Sequence, residues 1–291
     1  MSEIIATHNG KFHADDVFAV AALLLLKKDA SVVRTRDEAE LAKADIVLDV
    51  GGVYDDAKNH FDHHQIGGAG MRANGIPYAA FGLVWQKFGT ELAGSGEVAA
   101  QVDTVLVLPI DANDNGIDLS VPKIAGLSPY DISDAIRAFV PTWQEGQDTI
   151  DVVFNEAVSF AKRIIVREIK RAEAIVAGQR KVTEAYRTSP DKRLILLDGD
   201  YSWKDTLAGL PEPLFVIHPQ GETWRLYSVR DNPHVFVNRK DLPEKWAGLR
   251  NEKLAKVTGV PDAVFCHRNR FLAAARSKEG ALALAKQALS S

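Results

Sequence analysis

The chain has 291 residues, 46% of them hydrophobic and 25% charged, with a formal net charge of −4. That composition is ordinary for a globular protein and excludes a disordered or fibrous one, and the length allows two domains, each with its own core. The acidic balance argues against a broad basic face that coats long nucleic acid, so any nucleic-acid substrate is expected to be short or held locally.

Ile4-Ile5-Ala6-Thr7 predicts a short strand, and residues 15–26 a helix whose apolar residues are too dense for a half-solvated surface helix. That apolar run is about half of a membrane span, and Lys27-Lys28 closes it, so no membrane segment is expected. Ser31-Val32-Val33-Arg34 predicts a second strand, residues 38–44 a short helix, and residues 45–50 a third strand ending at Gly51-Gly52. A helix opens at Pro77 and runs through Trp85 and Phe88, and another runs from Glu97 toward Pro109. From Ile150 to Val176 apolar residues recur every three or four positions among Lys, Arg and Glu, which predicts one long helix over about 149–182. Strand-like runs follow at 194–197, 214–217, 224–229, 263–265 and 271–272, with a closing helix over 279–289.

Strands alternating with helices imply a parallel sheet with right-handed crossovers. The expected fold is α/β: an N-terminal parallel-sheet domain over 1–148, a long connecting helix in 149–188, and a smaller C-terminal α/β domain over 189–291. The start of the chain lacks the pattern of a signal or transit peptide, and the single cysteine, Cys266, cannot form an internal disulfide. A cytoplasmic protein with a buried, inert thiol is the expectation.

Five of the eight histidines, His8, His13, His60, His63 and His64, lie in the first 64 residues. His8 and His13 with Asp15 follow the first strand, Asp49 lies on the third, and Asp62-His63-His64 comes just after it. Side chains at the carboxyl ends of parallel strands converge on one crevice, where such sheets bind ligands. Imidazole and carboxylate together suit Mn, Fe, Co or Zn better than Mg or Ca. Two such ions about 3.5–4 Å apart can activate a water and hold a phosphoryl oxygen, and an aspartate such as Asp49 could bridge them. A fourth acidic stretch, Pro109-Ile110-Asp111-Ala112-Asn113-Asp114-Asn115-Gly116, could complete the shell.

The order His8…His13-Ala14-Asp15, Asp49-Val50-Gly51-Gly52, Asp62-His63-His64-Gln65 and Asp111-Ala112-Asn113-Asp114-Asn115-Gly116 resembles the DHH phosphoesterase superfamily. More narrowly, His8-Asn9-Gly10-Lys11-Phe12-His13-Ala14-Asp15-Asp16 and Arg72-Ala73-Asn74-Gly75-Ile76-Pro77-Tyr78 resemble the MYG1 family, associated with 3′→5′ RNA exonuclease activity. The resemblance continues through Leu242-Pro243-Glu244-Lys245-Trp246-Ala247-Gly248-Leu249-Arg250 to Glu279-Gly280-Ala281-Leu282. It implies a DHH-like catalytic domain with two divalent ions, expected to be Mn2+. His8, His13 and Asp49 would hold one ion and Asp15, Asp49, His63 and Asp111 the other, with His64 facing the scissile phosphate and Asp62 orienting the loop that carries both histidines. The second domain would grip substrate through His267, Arg268, Arg276 and Lys278. There, Phe271-Leu272-Ala273-Ala274-Ala275-Arg276 carries alanines where the superfamily has two glycines and a histidine.

Several residues also have plainer readings. Asp16 suits a helix N-terminus, Asp114-Asn115-Gly116 a turn, His60 an outer hydrogen bond, and Trp203, Trp224 and Trp246 core packing rather than base stacking. The function expected is a metal-dependent phosphodiester hydrolase, a 3′→5′ exonuclease acting on RNA or short oligonucleotides. Alternatives keep the site but change the substrate to pyrophosphate, a cyclic dinucleotide or a nucleoside phosphate, or keep metal and nucleotide binding without turnover. A homodimer is compatible with these residues.

Overall fold

The computed structural model describes residues 2–146 and 148–291. They divide into two compact units, one up to Glu173 and one from Ala174 onward. The first unit opens with β1 (Ile4–Thr7), α1 (Ala14–Leu26), β2 (Ser31–Arg34), α2 (Glu38–Leu41) and β3 (Ile46–Leu48). Two further strands, β4 (Tyr54–Asp55) and β5 (His60–Phe61), are two residues each, too short to leave an alternating pattern in the sequence. The sheet order is β2-β1-β3-β5-β4, parallel throughout except for the antiparallel edge strand β4.

Helix α1 is buried over its first ten residues, as its continuous apolar sequence requires, and it packs on α3 (Ala80–Ala93). The Phe18 and Phe81 rings meet at 5.6 Å in that contact. Next, α4 (Gly96–Val102) runs through a wide π-helical stretch, Asp103–Val107, into α5 (Leu108–Asp114). The sequence pattern places the end of this helix near Pro109. The chain instead stays helical through the proline, because Pro109 has no N–H to return to Val105 and the widened turn before it absorbs the mismatch.

After α6 (Ile132–Arg137), α7 (Ile150–Thr188) runs for 39 residues. Its first half buries Phe154, Ala157, Val158, Ala161 and Ile165, with Phe154 edge-on to Phe12 at 5.4 Å. Near its other end Val182 belongs to a core of the second unit, so the division of the chain falls inside this helix.

The second unit contains β6 (Leu194–Leu196), α8 (Lys204–Ala208), β7 (Phe215–Gln220), β8 (Thr223–Ser228), α9 (Asn251–Thr258), β9 (Ala263–Cys266), β10 (Leu272–Ala275) and α10 (Lys278–Ser290). Its sheet, β6-β7-β8-β10-β9, is antiparallel except for the β6–β7 pair. Alternation along β7 sends Phe215 and Ile217 to a core with Trp246, Leu254 and Leu284, and Val216 to the opposite core with Trp203, Leu207 and Val182. The three alanines of β10 are fully buried inside this sheet, Ala273 and Ala275 in the core that α10 covers and Ala274 on the opposite face, so they are packing residues. Cys266 is also buried, and burial pushes its thiol up to about 12, out of reach of ionisation at neutral pH. Among the described residues no helix is long and apolar enough to cross a membrane.

Trp246 is fully buried, and its indole N–H has no hydrogen-bond partner. Trp246→Ala is therefore expected to destabilise the second unit by about 3–5 kcal/mol. Trp246→Phe should cost much less, since it keeps most of the volume and breaks no hydrogen bond. Chemical denaturation of the two variants checks both values, and equal losses would contradict this packing.

Candidate metal centre

Three strand ends and two helix ends deliver the site. His8 follows β1, is 3% exposed, and points Nε2 to Asp49 Oδ2 at 3.3 Å and Asp16 Oδ2 at 3.4 Å. Asp49 follows β3 with φ +55°, a left-handed conformation that an aspartate tolerates, and Gly51 and Gly52 continue the turn at φ +95° and +68°. The other oxygen of Asp49, Oδ1, lies 3.4 Å from His63 Nε2 and 3.5 Å from His64 Nδ1. One carboxylate thus stands between the imidazole after β1 and the pair after β5.

The loop after β5 is held by Asp62. Its Oδ2 accepts the Gly52 N–H at 2.5 Å, and its Oδ1 accepts the His64 backbone N–H at 3.1 Å and faces His64 Nδ1 at 2.7 Å. A carboxylate only accepts, so Nδ1 of His64 carries the proton and Nε2 is left with a lone pair. The His64 side chain is 62% exposed, within reach of a ligand.

At the start of α1, Asp15 and Asp16 each divide their oxygens. Asp16 Oδ1 accepts the His13 N–H at 2.8 Å, as a helix-capping residue does, while Oδ2 faces His8. Asp15 accepts the N–H groups of Ala80 and Phe81 at 2.9 and 2.7 Å, filling the first turn of α3, whose N-cap Ala79 has no side chain for the purpose. It also has an oxygen grouped with His63 and Asp114.

The two acidic positions of α5 have different surroundings. Asp111 is fully buried, accepts the Gly82 N–H at 3.0 Å and pairs with Arg72 Nη1 at 2.5 Å, while Arg72 Nη2 reaches Asp103 at 3.0 Å. A Cβ on Gly82 would lie 1.9 Å from Asp111 Oδ2, so this contact admits no other residue there without displacement. Asp114, at the last position of α5, places Oδ2 3.1 Å from His63 Nε2. Sequence reasoning favours Asp111 as the ligand and gives Asp114 and Asp16 to turn and cap. The structure brings Asp114 and Asp16 to the histidines and pairs Asp111 with Arg72, a cation 39 residues upstream.

Three groups of donor atoms, each within 4.8 Å of one another, result: His8, Asp16 and Asp49; Asp49, His63 and His64; Asp15, His63 and Asp114. His13 stands in none of them, but it lines the same cleft of about 720 Å³, with its ring centroid 6.1 Å from that of His8. His60 is on β5 and makes no such group. The cleft is also lined by Lys11, Arg36 and Arg137, which sequence reasoning does not single out because they are scattered, solvent-exposed cations without a motif.

The second-unit cations are not brought together. His267 and Arg268 sit in the turn between β9 and β10, whereas Arg276 and Lys278 follow the far end of β10. Four strand residues, about 13 Å, separate the two pairs.

Carboxylates outnumber cations in the interior of the cleft. Burial raises the Asp15 carboxyl and lifts Asp16 to about 7, and neighbouring carboxylates push the same way. Burial opposes ionisation of Asp49 too, but the facing His63 and His8 imidazoles outweigh it and hold its pKa below the usual range. His63 is driven to about 11, since Asp114 and Asp49 outweigh the effect of burial. Asp16 Oδ2, Asp49 Oδ1 and His63 Nε2 are all buried without a hydrogen-bond partner. Buried polar atoms in that state are rare, and an excess of inward-facing carboxylates over cations is what bound divalent cations neutralise. The residues present therefore fit a metal centre, and the mixture of imidazole and carboxylate fits a transition metal.

The family model MYG1_exonuc, described as Uncharacterised protein family (UPF0160), matches residues 4–289. The MYG1 exonuclease of Homo sapiens is 33% identical over 98% of this chain and 85% of its own length. The chain belongs to the MYG1 family. MYG1 protein C694.04c of Schizosaccharomyces pombe is 32% identical over 98% of this chain and 97% of its own. The solved structure of RecJ with Mg2+ from Thermus thermophilus shares 11% identity and a TM-score of 0.31, covering 100% of this chain and 50% of that one, a likeness too slight to carry weight.

For the metal-free MYG1-family chain the signs of these shifts combine. Asp16 and Asp111, both near 7 against an ordinary 3.8, keep protons in the folded state that the unfolded chain releases between about pH 4 and 7. His63, near 11 against 6.5, does the same between about pH 6.5 and 11. In both windows the folded state binds more protons, so stability falls as pH rises. Asp49, shifted down, contributes stability that is lost only in stronger acid. Melting temperatures in chelator should therefore decline from about pH 5 to 9, and Mn2+ should reverse the decline at the alkaline end. A flat or rising profile in chelator would contradict this electrostatic picture.

Proposed function

We propose that this chain is a metal-dependent phosphodiester hydrolase that removes nucleotides from the 3′ end of short RNA. The observation that carries the reading is Asp49, whose two oxygens face two separate imidazole groups in a cleft where Asp49 Oδ1 and Asp16 Oδ2 are buried without a hydrogen-bond partner. His8, Asp16 and Asp49 would hold one divalent ion, with His13 as a further donor; Asp15, His63 and Asp114 would hold a second, with Asp49 between them. When bound, the two ions would acidify a water molecule and neutralise charge on a phosphoryl group in transfer.

The chain's own residues supply the rest. Asp62 fixes the tautomer of His64, so that Nε2 is aimed as a proton acceptor and, once protonated, can return the proton to a leaving oxygen. Lys11, Arg36 and Arg137 on the walls place positive charge where phosphates flanking the scissile bond would lie. That basic rim is local, in keeping with a short substrate and a net charge of −4. The exonuclease named among the relatives supports nucleic acid over pyrophosphate, and the proposed 3′ direction and preference for RNA rest on the family resemblance of the sequence alone.

Metal analysis and cleavage of end-labelled oligoribonucleotides in Mn2+ test this directly. Asp49→Asn and His63→Ala should each abolish metal uptake and cleavage. Asp114→Asn should lower activity by more than the roughly 10- to 100-fold that loss of an outer-shell partner costs, with little change in melting. Asp111→Asn leaves Arg72 without its buried partner and should act first on stability, by about 3–5 kcal/mol. If labelled RNA stays intact, or if Asp111→Asn loses metal while Asp114→Asn keeps it, the assignment fails.

A further inference from the structure

The second unit has a small slot at one end of its sheet, lined by Trp203, Lys204, Tyr227, Ser228, Arg230 and Phe271, with a volume of about 50 Å³. That is room for roughly four water-sized spheres. Its walls are aromatic and rigid. Tyr227 lies parallel to His218, with centroids 5.3 Å apart and planes within 2°, and Trp203 braces Tyr227 at 5.6 Å. Phe271 closes another side and is itself backed by His267 at 4.4 Å.

One observation sets this slot apart from ordinary core packing. At the slot the Arg230 guanidinium lies 4.3 Å over Phe236, a ring that is 82% exposed, and 5.7 Å from Phe271, while Lys204 is exposed beside them. Aromatic side chains interleaved with cations are what a nucleotide needs: stacking for the base and positive charge for its phosphate.

We infer that the Trp203–Tyr227–Phe271 slot binds the base of a nucleotide, with Arg230 and Lys204 contacting the adjacent phosphate. The inference rests on the nucleotide-hydrolase reading for the class of ligand and adds to it a binding site in the second unit. It also gives His267 a role as the support of Phe271, in place of a direct phosphate contact.

The test uses the full chain in EDTA, so that cation-dependent binding in the first-unit cleft does not contribute, and compares adenosine 5′-monophosphate with ribose 5-phosphate by calorimetry and saturation-transfer NMR. Adenosine 5′-monophosphate is expected to bind, and the base-free sugar phosphate to bind roughly tenfold or more weakly. Phe271→Ala and Arg230→Gln should each weaken the nucleotide roughly fivefold or more, while Phe271→Tyr, which keeps the ring face, should bind as wild type does. Arg230→Gln keeps the test open should Phe271→Ala fold poorly. His63→Ala should leave nucleotide affinity unchanged. No binding, equal binding of the two probes, unchanged affinity in the Arg230 and Phe271 variants, or loss of binding in His63→Ala would each overturn the inference. Nucleotide binding as described, in a Mn2+-loaded chain that cleaves no oligonucleotide, would leave the slot standing and remove the hydrolase reading alone.

Discussion

The site in the first unit depends on the placement of one carboxylate, Asp49, in a left-handed turn at the end of β3. From an ordinary extended position its side chain would follow the pleat of the strand. The turn instead sets its two oxygens against His8 on one side and His63 and His64 on the other. Everything else in the cleft is arranged around that division. The loops after β1 and β5 bring imidazoles to opposite sides of the carboxylate, and the start of α1 and the end of α5 bring further carboxylates behind them.

Such a concentration of buried carboxylates would oppose folding if none had a second purpose. Asp15 and Asp111 satisfy three backbone N–H groups in the first turn of α3, from Ala80, Phe81 and Gly82. Asp16 caps α1, and Asp62 ties Gly52 to the His64 loop. Each oxygen engaged in this way is stabilised by a donor that would otherwise be unsatisfied, and the positive end of each helix dipole favours the same charge. Rigidity of the donor set is a consequence: a carboxylate that holds a helix in place is itself held by the helix. Arg34, at the end of β2, acts similarly. It bonds the Gly10 carbonyl at 2.6 Å and Asp151 of α7 at 2.5 Å, and so fixes the segment between His8 and His13.

Much of this was legible in the chain. The strands at 4–7 and 31–34, the buried helix α1, the long α7 and the convergence of His8, Asp49 and His63 all follow from periodicity and from the position of polar residues after apolar strands. Less legible were features whose signal lies elsewhere in the sequence. Strands β4 and β5 exist only because β3 offers them a partner, and two residues carry no period. The three alanines of β10, set against a glycine and histidine pattern, suggest a modified binding loop, yet their neighbours β8, β9 and α10 make them interior. His267, Arg268, Arg276 and Lys278 lie within twelve positions of one another, but a strand between them puts the pairs at opposite ends of a hairpin.

Asp111 and Asp114 show why residue type alone does not tell apart two carboxylates with different partners. Both are aspartates on one short helix, three positions apart and so on neighbouring faces, and either fits a metal shell by chemistry. What distinguishes them is the sign of the nearest partner. Arg72 reaches Asp111 because the Gly70–Tyr78 turn folds beside α5, with its guanidinium 4.3 Å over the Tyr78 ring, and Gly82 leaves the space for the carboxylate to be there. Asp111 thus has its counter-charge from a guanidinium fixed by its own contacts, whereas Asp114 lies against the His63 imidazole and in one group with Asp15; the fold sets that difference in partner, and the local sequence carries no mark of it.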